Sequence, residues 1–316
     1  MLTRRTILAA PALVALPAAA QGATLRIIVP APPGGPTDIL ARVVGERMGA
    51  VLSRTVVIDN RAGAGGVIGT EAAARSAADG NTLVVGHNQT HASNQWMMAR
   101  LPYHVRDSFA PVARLASVHH CLVVGGNSPF GTLADLIAAG RQRELNYASS
   151  QAGSASHVIS ETLVRRTGMR AVHVPFNGAA PAATATVAGQ VDFYTSTFPT
   201  IAGLLQDGRL KGLAIGAPAR LADFPNIPTA AEAGQPEPFV DAWFGLFAPA
   251  GTPAPAVAAL GEAALATLRE APVAERLRSA GFTLTPQGPA EFAAFQASEI
   301  SRWQEMIRIT GVRLDS

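Results

Sequence analysis

Along most of the chain, short β-type runs alternate with alanine-rich stretches whose apolar positions recur at helical spacing. The β-type runs cover 25–29, 56–59, 82–85, 122–124, 145–147, 171–174, 191–194, 210–215 and 245–248. Helical patterns fill 39–52, 69–76, 132–141, 156–166, 179–188 and 200–206. Such alternation predicts an α/β fold with largely parallel sheets. Sheets of this kind place ligands outside the carboxyl ends of their strands, so the segments that follow strands are where chemistry is sought.

The tail changes character. Two long amphipathic helices are predicted over 255–278 and 289–310, the second with Phe292, Phe295, Ile300, Trp303 and Ile307 at helical spacing. An aromatic stripe of that spacing is read as core packing. Proline-marked segments lie around 101–111 and 217–238. A chain that leaves its first lobe near residue 120 and returns near 240 gives two lobes joined by two crossings. The expected division is lobe I from 21–119 plus 242–316 and lobe II from 120–241.

Composition supports two lobes and removes some functions. The 316 residues, 48% of them apolar, are enough for two cores and argue against disorder. The net charge of +3 comes from scattered arginines, with Lys211 the only lysine. A nucleic-acid groove would gather cations on one face, so no nucleic-acid partner is expected. Residues 1–20 carry Arg4 and Arg5, an apolar stretch and the small residues Ala18, Ala19 and Ala20. That is the layout of a cleavable export signal, with the mature chain beginning near Gln21 in the periplasm. A twin-arginine signal and an ordinary Sec signal both fit. Cys121 is the sole cysteine, which excludes an internal disulfide. Its apolar neighbours mark a buried strand residue rather than a nucleophile.

Two strand-to-helix elbows stand out. In IVPAPPGGPTDILARVV, Gly35 suits a helix cap, Pro36 the first helical position and Asp38 the first turn. Gly34 and Gly35 admit close approach by a guest, and the amides of Thr37 and Asp38 face outward. A charge-free anion cradle and a plain tight turn both fit. In LNYASSQAGSASHVISETLVRR, the loop offers Ser149, Ser150, Ser154 and Ser156 around Gly153 before a helix starts near Ser156. Hydroxyls with helix-start amides can bind a carboxylate or its bridging waters, and serines also cap helices for structural reasons.

Other motifs carry less. NRAGAGGVIGTE has Ile68 where a dinucleotide fingerprint needs glycine, and no P-loop Lys follows; it reads as a close-packed loop. His87 and His91 have i,i+4 spacing but lack the Glu of a zinc helix and follow a strand among loop-type residues. His157 can donate to a ligand or serve packing, and His173 lies in an apolar strand as a core histidine. No G-x-S-x-G elbow and no spaced carboxylate pair is present.

Eight segments add a resemblance: PAPPGGPTDILARVV, VVIDNRAGAGGVIGTEAAARSAADGNTLVVG, LPYHVRDSFAPVARLAS, LNYASSQAGSASH, VHVPFNGAAPA, GQVDFYTS, IPTAAEAG and WFGLFAPAGTP. In that order they resemble the Bug family, the extracytoplasmic substrate-binding proteins of tripartite tricarboxylate transporters, over essentially the whole mature chain. The resemblance implies a two-lobed periplasmic-binding-protein (Venus flytrap) fold that closes on a small organic acid. It implies membrane permease subunits as partners, a monomer, no cofactor or metal, and no chemistry performed. The carboxylate would be clasped between two loops. The first is Pro33, Gly34, Gly35, Pro36, Thr37 and Asp38; the second holds Ser149, Ser150, Ser154, Ser156 and His157. Further pocket positions would be Asn88, Gln89 and Thr90, then Phe176, Asn177 and Gly178, then Thr195 and Ser196.

The chain departs from the family at three places. Phe176-Asn177-Gly178 stands where many members have Tyr-Lys-Gly, Ser196 where an Asp is common, and His87-Asn88-Gln89-Thr90-His91 replaces a smaller Thr/Ser/Gly-rich loop. Loss of that anion predicts a guest without a cationic amine, a mono- or dicarboxylate, aromatic ones included. Two rival readings are a periplasmic sensor that presents its ligand to a receptor kinase and a secreted hydrolase or lyase using Ser154 and His157.

Overall fold

The computed structural model describes residues 24–235 and 239–314; the expected export signal lies outside them. Six strands form the first sheet, in the order β11-β4-β10-β3-β1-β2. They are β1 (Leu25–Val29), β2 (Val56–Asn60), β3 (Thr82–His87), β4 (Phe109–Val118), β10 (Ala242–Pro249) and β11 (Thr283–Gln287). The second sheet has the order β7-β6-β8-β5-β9. Its strands are β5 (His120–Gly125), β6 (Leu145–Ser149), β7 (Ala171–Pro175), β8 (Phe193–Thr197) and β9 (Leu210–Ile215).

Both sheets are mixed, which corrects the expectation of mainly parallel pairing. β1 runs parallel to β2 and β3, and β6 to β7 and β8. β10 is antiparallel to β3 and β4, as is β11 to β4, and β5 is antiparallel to β8 and β9. The cause lies in the two crossings. A chain that enters the second sheet directly from β4 and returns directly into β10 brings each of these strands in against the direction of its neighbours.

The crossings run side by side: His119 Nδ1 lies 2.8 Å from Asp241 Oδ1, and His120 Nδ1 lies 2.7 Å from the Val240 carbonyl. The two-lobed α/β architecture is thus built from two covered sheets and a paired connection.

Helices cover both faces. On one face of the first sheet, α1 (Pro36–Leu52) sets Leu40, Val44 and Met48 against Leu260, Ala264 and Leu268 of α8 (Ala254–Arg269). Positions four apart share one helix face. On the other face, α10 (Pro289–Thr310) buries Phe292, Trp303 and Ile307. Phe292 meets Trp243 edge-on at 5.7 Å between ring centroids, so the aromatic stripe is core packing. Trp243 Nε1 donates to Glu299 Oε2 at 3.0 Å, which gives the buried indole its acceptor. The remaining helices are α2 (Val67–Ala74), α3 (Asn94–Met97), α4 (Leu133–Gln142), α5 (Ala155–Thr167), α6 (Ala179–Val187), α7 (Phe198–Gln206) and α9 (Ala271–Ser279). Among the described residues no helix is long and apolar enough to cross a membrane.

Candidate functional site

The first elbow joins β1 to α1. Gly35 caps the helix in an extended conformation with no side-chain hydrogen bond, and Pro36 opens it. Gly34 has φ +84, a left-handed conformation open mainly to glycine. Asp38 turns back from the first turn: its Oδ2 accepts from the Gly34 amide at 2.9 Å and its Oδ1 from Asn60 Nδ2 at 2.9 Å. Arg42 Nε donates to Asp38 Oδ2 at 3.0 Å, and Asn60 Nδ2 also reaches the Ala31 carbonyl at 3.2 Å. Burial would raise the Asp38 pKa, but hydrogen bonds from Arg42, the Gly34 amide and Asn60 outweigh it and hold the carboxyl below its ordinary value. The carboxylate therefore fixes the elbow's shape. The amides of Thr37 and Asp38 have no carbonyl four residues back to bond. Neither makes a backbone hydrogen bond among the described residues, and a Cβ on the preceding Gly34 or Gly35 would meet no atom within 4 Å.

The second elbow joins β6 to α5 through a directed chain of hydroxyls. Ser154 Oγ donates to the Gln151 carbonyl at 2.7 Å and accepts from the His157 amide at 3.3 Å. Because the one Ser154 proton is used, Ser156 donates to Ser154 across 2.8 Å. Ser150 then supplies Ser156 from both its amide, at 3.0 Å, and its hydroxyl, at 3.3 Å. Ser149 Oγ donates to the Gln151 carbonyl at 2.9 Å, so His173 Nε2, 2.6 Å away, donates to Ser149. Ser149, Ser154 and Ser156 are buried and build the loop; Ser150 is half-buried at its mouth. The first-turn amides of Ala155 and Ser156 likewise make no backbone hydrogen bond among the described residues, the counterpart of Thr37 and Asp38.

A stack of rings supports this loop. His157 lies flat on His173 at 3.7 Å between centroids, and His173 on Tyr147 at 5.1 Å. Tyr147 Oη donates to Glu161 Oε2 at 2.7 Å. His157 Nδ1 accepts from the Gly153 amide at 3.1 Å. Burial, with the neighbouring His173, lowers the His157 pKa to about 3, and burial also lowers that of His173. Both imidazoles are neutral at ordinary pH. Ser154 Oγ meets the backbone of His157 rather than its ring, and the ring's Nδ1 lone pair is occupied by Gly153, so these two residues do not form a nucleophile–base pair.

The turn after β3 packs against the glycine loop and meets the second elbow through Gln89. His87, Asn88, Gln89, Thr90 and His91 do not form a loop: residues Gln89–Ser93 make a wide helical turn that runs into α3. Asn88, Gln89, Thr90 and His91 are buried there. His91 stacks on Phe247 at 4.0 Å, and burial drives its pKa well below the ordinary value. Among the described residues no three His, Cys, Asp or Glu side chains gather as a metal site. The glycine loop packs closely as expected: a Cβ at Gly66, where φ is +84, would lie 2.6 Å from Thr90 Cγ2 and 3.1 Å from the Pro30 carbonyl.

The Phe176–Gly178 turn is bonded to the serine elbow, with the Phe176 amide on the Ser149 carbonyl at 3.0 Å and the Gly178 amide on the Ser150 carbonyl at 2.8 Å. Asn177 is exposed at its tip. Thr195 and Ser196 are fully buried, and Thr195 Oγ1 accepts from Ser160 at 2.9 Å. Cys121 is buried in β5, and burial raises its thiol pKa. One residue without a sequence signal joins the set. Gln151 Nε2 donates across the lobes to Gln89 Oε1 at 2.9 Å.

The candidate site thus comprises two helix-start elbows, one from each sheet, the first shaped by the Asp38 carboxylate and the second by serine hydroxyls and neutral imidazoles. The family model "Tripartite tricarboxylate transporter family receptor" matches residues 40–312. The chain is 36% identical over 293 residues to the protein BugT of Bordetella pertussis, covering 92% of this chain and 90% of that one. Its fold is similar to that of R. palustris Rpa4515 with adipate, at 32% identity and a TM-score of 0.86, over 93% and 98% of the two chains. It is also similar to MatC (Rpa3494) from Rhodopseudomonas palustris with bound malate, at 35% identity and a TM-score of 0.81, over 90% and 98%. The chain belongs to the tripartite tricarboxylate transporter receptor family.

Proposed function

We propose that this protein is a periplasmic solute-binding protein. It captures a small organic carboxylate between its two lobes and delivers it unchanged to the permease subunits of a tripartite tricarboxylate-type transporter. The observation that carries this reading is the pair of elbows. Each offers two open first-turn amides, Thr37 and Asp38 from one sheet and Ala155 and Ser156 from the other, at helix ends whose dipoles favour an anion.

In this reading lobe I is 21–119 with 242–316 and lobe II is 120–241. The paired crossings at His119–His120 and Val240–Asp241 serve as the hinge. Residues 1–20 direct export by a twin-arginine or Sec route, and the mature protein acts as a monomer. The carboxylate sits between Gly34, Gly35, Thr37 and Asp38 on one side and Ser150, Ala155 and Ser156 on the other. Asn88, Gln89 and Thr90 form the floor, and Phe176, Asn177 and Gly178 the rim. Ser149, Ser154, His157, Thr195 and Ser196 hold these groups from behind. Fixed amides replace the water lost on closure, and the lack of a cationic clamp keeps capture reversible. The serine and histidine of the second elbow serve its geometry, so the guest is held and not converted.

The test is mass spectrometry of small molecules released when the purified protein is denatured. A carboxylic acid at near one equivalent is expected, and the same mass should be recovered after long incubation with the folded protein. Release of a product mass would overturn the non-catalytic part, and a bound species without a carboxyl group would overturn the ligand class.

A further inference from the structure

The lobes touch beside the clasp through two carboxamides, and one of them is incompletely used. Gln89, only 5% exposed, accepts from Gln151 Nε2 through its Oε1 at 2.9 Å. Its own Nε2 is buried and has no hydrogen-bond partner among the described residues. A buried donor without an acceptor is costly, so a guest that supplies one gains by doing so. Gln151 belongs to the serine elbow, where its backbone carbonyl accepts from Ser149 and Ser154. Its half-buried side chain leaves that elbow toward Gln89.

We infer that the Gln89–Gln151 pair selects the guest by a neutral group that both donates and accepts a hydrogen bond, a hydroxyl or a carboxamide borne on the carboxylate. This rests on the carboxylate-binding role proposed above. Each carboxamide carries one acceptor oxygen and one donor nitrogen. The bond between them uses one N–H of Gln151 and one lone pair of the Gln89 oxygen, leaving the Gln89 nitrogen and the Gln151 oxygen as the two wholly unused groups for a guest. Exchanging O and N in both side chains reverses the bond and leaves the Gln89 oxygen and the Gln151 nitrogen. In either orientation one carboxamide nitrogen and one carboxamide oxygen stay wholly unused.

A second carboxylate has no proton for the free oxygen. An ammonium has no lone pair for the free nitrogen. Neither finds a counter-charge, because the neighbouring Asn88, Thr90 and Ser150 are neutral and burial keeps His87 uncharged, its pKa lowered to about 4. A desolvated charge without a partner is strongly disfavoured. The hydroxyl or amide guest meets both free groups and brings no charge to bury.

Calorimetric titration of the full mature chain tests this with two matched series. One is butanoate, succinate, 4-aminobutanoate, 4-hydroxybutanoate and succinamate; the other is benzoate with the same substituents in the para position. Within whichever series binds, the hydroxyl or carboxamide member should be at least about tenfold tighter than the dicarboxylate and the amine, in keeping with sites built to hydrogen-bond a substrate group. In Gln151→Leu that ratio should fall below about threefold as the free acceptor is lost. Gln151→Glu should shift preference toward the amine, a reversal that loss of a merely structural contact does not produce.

Should Gln151→Leu fail to fold by circular dichroism, the Gln151→Glu reversal decides alone. Binding of carboxylates with no preference, or a preference that survives Gln151→Leu, overturns the selection and leaves the carboxylate role standing. Absence of binding by every member of both series overturns both.

Discussion

Gly35→Val is expected to abolish ligand capture while leaving the fold intact. Gly35 has φ −84 and ψ 172, an extended backbone that valine readily adopts. A Cβ there meets no heavy atom within 4 Å, so the folded state should change by no more than about 0.5 kcal/mol. The branched side chain stands over the open amides of Thr37 and Asp38 and displaces whatever sits on them. Loss of that jaw should weaken binding at least about 100-fold, equivalent to about 2.7 kcal/mol. The neighbouring glycine is a contrasting control. Gly34 has φ +84, so Gly34→Val adds about 1–2 kcal/mol of backbone strain and should lower stability as well as affinity. Calorimetry with a thermal melt separates the two, and retained affinity in Gly35→Val would remove the elbow from the site.

Asp38→Ala should be costly in a different way. Asp38 is 3% exposed and accepts from Gly34, Asn60 and Arg42. Its loss removes three hydrogen bonds from the exposed Gly34 and Arg42 and the half-buried Asn60 and should cost about 1–2 kcal/mol, with weaker binding because the elbow loses its fixed shape. Asp38→Asn keeps the size and part of the bonding but removes the charge, and so isolates the titration. The folded carboxyl is held below its ordinary value, near 3.9 in the unfolded chain by the usual reference of about that size. The stability it contributes is complete above the unfolded pKa and is lost as pH falls through the folded one. Wild-type melting temperature should therefore drop more steeply at acid pH than that of Asp38→Asn. Equal slopes would show that Asp38 is not the titrating anchor.

Much of the fold was legible in local pattern. β1, β9 and α10 occur at the bounds the periodicity predicts, 25–29, 210–215 and 289–310. Failures have identifiable causes. β4 lies where prolines and arginines suggest loop; Pro111 pairs with Phe247 beside a register shift, where a missing N–H is tolerated. β11 is an edge strand with only half-buried and exposed positions, so no apolar alternation marks it. The helix expected over 255–278 is two, because Pro272 in the first turn of α9 starts a new helix rather than continuing the old. β8 runs to Thr197, not Tyr194, since its buried Thr and Ser residues pair with β5 and Ser160; an apolar run ends where those hydroxyls begin.

The candidate site was legible to the extent that backbone chemistry has a sequence signature. Gly-Gly-Pro after a strand, and a serine loop before a helix, mark helix-start elbows whatever the rest of the chain does. Contacts across the fold leave no such mark. Asn60 and Arg42 hold Asp38 from a strand and from the next helical turn, and Gln151 meets a partner 62 residues away. The helical turn at Gln89–Ser93 was hidden because Thr90, His91 and Ser93 have weak helix preference, while its packing against α10 stabilises it.

The central claim is that a carboxylate is held by the amides of two elbows, one per lobe. The most direct measurement is a crystal structure of the protein with the acid that copurifies with it or with the tightest acid from the two series. The account predicts carboxylate oxygens within hydrogen-bonding distance of the Thr37 or Asp38 amide on one side and of the Ser150 hydroxyl or the Ala155 or Ser156 amide on the other. A carboxylate bound by arginine side chains, or lying on one lobe alone, would contradict it.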